Sequence, residues 1–193
     1  MSDIVLGLDI RLNDKEDAEE RALEKLRDDP KDQLANYVMG SVSLGRGEID
    51  KAEEYLRLAV AGKKQNVMAL NDLAEVLRRR EKYPEAEHFA RAATVAAPDL
   101  YVVWETLGSI LLDAGSGEDV PEAERCIQKA CDMSRDEKGN PTDPRMLISL
   151  ARVQLKLGKT AEAKRSLRIV GSFRDSLEPE DIKKLQEVHK LAK

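Results

Sequence analysis

The sequence predicts an all-α fold in which helical hairpins are repeated along the chain, and three observations carry the prediction. Of the 193 residues, 41% are hydrophobic but only 4% aromatic. Ala, Leu, Glu, Lys and Arg abound, which is helix-forming composition with little strand material. The chain also has a period: residues 33–66 and 67–100 align with Gly40 on Ala74, Ala52 on Ala86, Ala59 on Ala93 and Met39 on Leu73. Finally, Trp104, Leu107, Gly108 and Leu111 recur at the i, i+3, i+4, i+7 spacing of one helix face, one further period along.

Taken in order, residues 1–32 form an irregular start and the second helix of a degenerate unit. Ala18, Ala22 and Pro30 fall where Ala86, Ala90 and Pro98 fall later, giving a helix from about Lys15 to Arg27. Before it, Leu6, Leu8, Ile10 and Leu12 alternate with polar residues and Gly7, so a strand and a short helix both remain open. Residues 33–66 and 67–100 are the first two full units, each with a turn at the same offset, Arg46-Gly47-Glu48-Ile49 and Arg80-Glu81-Lys82-Tyr83. Residues 101–140 are a third unit with a longer turn, Asp113 to Pro121, and a trailing loop from Arg135. Residues 141–178 restate the pattern through Leu147, Leu150, Ala151, Gly158, Ala163 and Leu167. In residues 179–193, Pro179-Glu180-Asp181 is a helix start, and Ile182, Leu185 and Val188 make one apolar stripe, as a terminal capping helix requires.

One helix pair cannot bury its own apolar face. Stacking makes that face continuous, with Gly40, Ala52 and Ala59 admitting close approach while Met39 and Leu56 fill the seam.

These units resemble tetratricopeptide repeats, through Trp104, Leu107, Gly108, Ala123 and Ala130 in the third and Leu73, Ala74, Tyr83, Ala86, Ala93 and Pro98 in the second. The first unit departs from the pattern with Asn36, Ser43 and Lys64, and the fourth with Val170 in place of an Ala. The resemblance implies a right-handed α-α superhelix of about four repeats that binds a peptide or protein in its concave groove. The positions that line such a groove include Tyr37 and Ser41, then Asn71, Glu75 and Arg78, then Glu105 and Ser109, then Arg145, Arg152 and Lys156. The subgroup that clamps a C-terminal carboxylate with Lys, Asn and Arg is not matched, because those places hold Tyr37 and Ser41, Asp72, and Val102 and Thr106.

Charge narrows the partner. With 37 acidic and 32 basic residues the net charge is −5, which argues against nucleic-acid binding. Residues 141–193 carry 12 basic and 7 acidic side chains, hence +5, so the first 140 residues stand at −10. With Arg145, Arg152 and Lys156 on the groove face, the expected partner is a protein or peptide of acidic or mixed charge. The alternative for the same side chains is an ordinary solvated helix face.

Catalysis and cofactors are not expected. Gly158-Lys159-Thr160 lacks the Gly five residues earlier that a phosphate loop needs; Val153 stands there. Glu85 and His88 have Glu-x-x-His spacing but no second pair, and Cys126 and Cys131 match neither a zinc site nor a disulfide framework. Trp104 reads as core rather than as a stacking platform. No apolar run approaches the roughly 18 residues of a membrane span. The acidic start at Asp3 and Asp9 is unlike a signal peptide, so an intracellular, cytoplasmic chain is expected. The second reading is a self-assembly module of a larger complex, or the repeat portion of a longer protein.

Overall fold

Ten α-helices and one 3-10 turn follow one another through the described residues, with no strand among them. The computed structural model describes residues 12–62, 65–115, 117–136, 139 and 143–192. The segment before Leu12, where strand and short helix were both open, lies outside them. The chain divides into two compact units, one reaching Ala96 and the other starting at Ala97.

The first unit contains α1 (Leu12–Asp28), α2 (Gln33–Gly45), α3 (Ile49–Val60), α4 (Val67–Arg79) and α5 (Tyr83–Ala96). α2 pairs with α3 and α4 with α5, while α1 packs on α2 and α3 on α4. The local sequence sets these boundaries. Asp32 Oδ1 accepts from Ala35 N–H at 2.8 Å and Asn66 Oδ1 from Ala69 N–H at 3.0 Å, so each first helix starts on a side-chain cap. The hairpin turns are closed by the same backbone bond, Glu48 N–H to the Ser43 carbonyl and Lys82 N–H to the Leu77 carbonyl, both at 2.9 Å. That closure needs a left-handed residue. Gly47 supplies it at φ +74°, whereas the second turn uses Glu81 at φ +58°.

Inside the hairpins, Leu56, Leu73, Leu77 and the small residues Ala52, Ala59, Ala74, Ala86 and Ala93 are fully buried. A Cβ on Gly40 would stand 2.6 Å from Leu56 Cγ, so the absence of a side chain there is what lets α2 and α3 meet.

The second unit contains α6 (Tyr101–Ala114), α7 (Val120–Met133), α8 (Pro144–Lys156), α9 (Thr160–Val170), the 3-10 turn Gly171–Ser176 and α10 (Pro179–Leu191). α6 pairs with α7 and α8 with α9, and α7, α6 and α10 all pack on α8. Gly108 repeats the role of Gly40 more tightly. A Cβ there would lie 2.5 Å from Ile127 Cγ1 and 3.1 Å from the Ala123 carbonyl oxygen. The α8–α9 turn repeats the closure of the first unit, with Lys159 N–H on the Gln154 carbonyl at 2.8 Å and Gly158 at φ +72°. α6 instead stops on Gly115 at φ +76°, and the chain takes longer to reach α7.

Candidate functional site

The first helix of each hairpin keeps a row of polar side chains beside the apolar row that it sends into the core, because spacings of three, four and seven put both on adjacent stripes of one helix. In the first unit that row lies on α2 and α4, which touch each other. Tyr37 is buried at 8% exposure and Ser41 is half-buried. Burial pushes the Tyr37 hydroxyl up to about 12, the Asp72 carboxylate adds to the rise, and a hydrogen bond with Ser41 opposes it. Across from them on α4, Asn71 is buried and its Nδ2 donates to Asp72 Oδ1 at 3.5 Å.

One turn along, Glu75 is fully engaged. Arg78 donates to both of its oxygens at 2.8 and 2.9 Å, and Arg79 Nε donates to Oε1 at 2.8 Å. Burial pushes the Glu75 carboxyl up, but the two guanidinium groups more than reverse this and hold it below the ordinary range.

In the second unit the row lies on α6 and α8, which also touch. Ser109 Oγ donates to Glu105 Oε1 at 3.0 Å. The three basic residues expected to await a partner already have acceptors. Arg152 Nη2 donates to Asp113 Oδ1 at 2.8 Å, and Lys156 Nζ to the Leu112 carbonyl at 2.8 Å. The reason is local: α6 ends beside them, its last carbonyls lack intrahelical donors, and a cation there meets the negative end of the helix dipole. Arg145 is bound by Asp143, whose Oδ1 also caps α8 by accepting from the Arg145 N–H at 2.9 Å. Hydrogen bonding to Asp143, chiefly, raises the Arg145 guanidinium above its ordinary value.

The structure therefore gathers Tyr37, Ser41, Asn71, Glu75 and Arg78 in one unit and Glu105, Ser109, Arg145, Arg152 and Lys156 in the other. Asp72 and Asp113, which complete these arrangements, were not singled out as lining residues from sequence; Leu112, an expected lining residue, takes part through its backbone carbonyl.

The remaining chemistry-bearing residues are quiet. Cys126 and Cys131 are buried and unoxidised, and burial drives the Cys131 thiol up to about 12, which makes it a poor nucleophile. Trp104 is half-buried rather than core; its Nε1–H donates to the Pro98 carbonyl at 2.8 Å and Lys129 Nζ covers its ring 3.6 Å from the centroid. Among the described residues no group of three or more His, Cys, Asp or Glu side chains could hold a metal ion. No described helix is long and apolar enough to cross a membrane. Two surface hollows, along α7 at Glu124, Gln128 and Asp132 and beside Lys164, Arg168 and His189, contain none of the sequence-predicted lining residues.

The sequence profile of the Tetratricopeptide repeat family matches residues 8–67 and again residues 45–101. No curated protein matches the chain. Solved structures match it along most of its length. PilW, described as a widely conserved type IV pilus biogenesis factor, is 21% identical with a TM-score of 0.70, over 93% of this chain and 79% of that one. The 41-end form of MamA from Desulfovibrio magneticus RS-1 is 20% identical with a TM-score of 0.67, over 88% and 90%. YrrB, described as a TPR protein with an unusual peptide-binding site, is 16% identical with a TM-score of 0.65, over 94% and 82%. At these identities the likeness is one of fold.

Proposed function

Because the chain belongs to the tetratricopeptide repeat family, a family of protein-interaction modules, we propose that it is a non-catalytic scaffold that holds a partner peptide or protein on the faces of its first helices. The observation that carries this reading is the polar row on α2 and α4, and again on α6 and α8. Side chains there are fixed by packed helices at the edge of the core, and none forms a nucleophile and base pair. On the second unit, Arg145, Arg152 and Lys156 favour an acidic segment of the partner; their internal acceptors orient them and leave N–H donors for a ligand carboxylate.

The test is capture of partners from a cell lysate by the full chain, read by mass spectrometry. Ser41→Arg on α2 and Val102→Arg on α6 should abolish capture with the thermal melt unchanged. Val95→Arg, at an α5 position that is 81% exposed, should have no effect. Equal loss in all three variants, or retention in the first two, contradicts the proposal.

A further inference from the structure

Two adjacent residues on α4, Asn71 and Asp72, carry side-chain oxygens that no cation among the described residues meets. Asp72 is half-buried, yet no Lys or Arg among the described residues pairs with it, and its one hydrogen bond is the long contact from Asn71. Asn71 is 5% exposed, and its Oδ1 is enclosed without a hydrogen-bond donor among the described residues. It is the Asn71 Nδ2 that lies against Asp72, so the unmet acceptor at this place is the Asp72 carboxylate. From α2, the Tyr37 hydroxyl faces the same carboxylate closely enough for the Asp72 charge to raise it. Glu75 adds negative charge on the α4 side, and its neighbours Arg78 and Arg79 are directed at Glu75 rather than at Asp72.

A buried acceptor without a donor costs stability, and a half-buried carboxylate without a cation costs more. Two other partly buried carboxylates of the first unit avoid that cost. Glu53, at 10% side-chain exposure, collects Arg57, Arg80 and Lys82, and Glu75 collects two guanidinium groups. Departures from such consistency are expected where function requires them. What this place lacks is a positively charged group with several N–H donors.

We infer that Asp72, with Asn71 beside it and Tyr37 across from it, is a subsite for the cationic side chain, Lys or Arg, of a bound partner peptide. The inference rests on the first-helix faces being the binding surface and adds the chemistry of one contact. An ammonium or guanidinium group satisfies the carboxylate with charge-assisted hydrogen bonds. A metal ion fits poorly, since the described residues place no three metal-binding side chains together. Burial, with a smaller contribution from Glu75, pushes the Asp72 carboxyl up to about 6 against the pull of the Asn71 hydrogen bond. A bound cation should bring it back down.

The experiment is NMR on the full chain, labelled with carbon-13 and nitrogen-15. The probes are N-acetyl-lysine methylamide, N-acetyl-arginine methylamide and, as control at equal ionic strength, N-acetyl-glutamate methylamide. Either cationic probe should move the amide signals of α2 and α4 around Tyr37 and Asp72 and lower the Asp72 titration midpoint by about one unit, a tenfold change in proton affinity. The glutamate probe should do neither. Asp72→Asn, and Asp72→Ser as a second replacement, should lose the response while keeping the native amide spectrum. An unchanged Asp72 midpoint, or an equal response in the variants, overturns the inference. The partner-capture test with Ser41→Arg is separate: its success alongside a silent Asp72 would retain the binding surface and remove only the cationic subsite.

Discussion

On the α2 and α4 face of the first unit a carboxylate stands without a cation among the described residues, whereas on the α6 and α8 face of the second the basic residues Arg145, Arg152 and Lys156 each rest on an acceptor of their own chain. The two units are built from the same hairpin and the same close approach at a glycine, so the difference does not come from the fold. It lies in how each face settles its own charges. A face whose charges are met internally can present an ordered surface; a face with an unmet acceptor favours a ligand of one sign.

The largest expected effect tests what the units share. Gly108→Ala should destabilise by about 3 kcal/mol, because the new methyl group meets the Ala123 carbonyl and the Ile127 backbone as well as a side chain. Gly40→Ala should cost less, about 1–2 kcal/mol, since the nearest atoms belong to the Leu56 side chain. Thermal or urea unfolding checks both, and the reverse order would show that the first unit is the more tightly packed.

Next comes Glu53, which sits with three cations in the first unit. Burial pushes its carboxyl up, but hydrogen bonds from Lys82 and Arg57 outweigh that and hold it below the ordinary 4.5. Its contribution is therefore present above pH 4.5 and lost as pH falls through the lower folded-state value. Glu53→Gln should cost about 1–2 kcal/mol at neutral pH, discounted because its partners are 35–42% exposed. The difference from wild type should shrink in acid.

Asp72 should behave with the opposite sign. Its folded-state value, about 6, lies above the ordinary 3.8, so its contribution falls as pH rises from about 4 to 6 and stays low above that. Asp72→Asn should therefore raise stability at pH 7 by about 1 kcal/mol, a shift in Tm of a few degrees, while leaving it unchanged near pH 4. Equal melting of the two proteins at pH 7 would mean that the carboxylate is already compensated.

The smallest effect concerns the hairpin turn that, alone among the described residues, holds a left-handed residue other than glycine. Glu81→Gly should stabilise by about 0.5–1 kcal/mol by relieving the strained φ. Loss of stability instead would show that the Glu81 side chain contributes more than its backbone costs.

Much of the fold was legible because small residues recur where helices touch. Gly40 and Gly108 mark close contacts between paired helices, and the apolar spacing around Leu107 places α6. The helix expected from Lys15 to Arg27 is α1, Leu12–Asp28. Less of the candidate site could be read. Lys156 rests on a backbone carbonyl 44 residues away and Arg152 on an acid 39 residues away, and neither partner has a sequence signature. Trp104 occupies a core position of the repeat, yet Lys129 shares its ring with solvent. Asp72 stood out in sequence only as an acid at a place where the carboxylate clamp is not matched, and only three-dimensional packing reveals that no cation among the described residues pairs with it. The division into two units at Ala96 likewise follows from contacts rather than from composition.

Hydrogen–deuterium exchange of the full chain, with and without a partner obtained by capture, shows which helix faces a partner covers. Added protection is expected in α2 and α4, or in α6 and α8, with α3, α5, α7 and α9 unchanged. Protection confined to those second helices would contradict binding on the first helices.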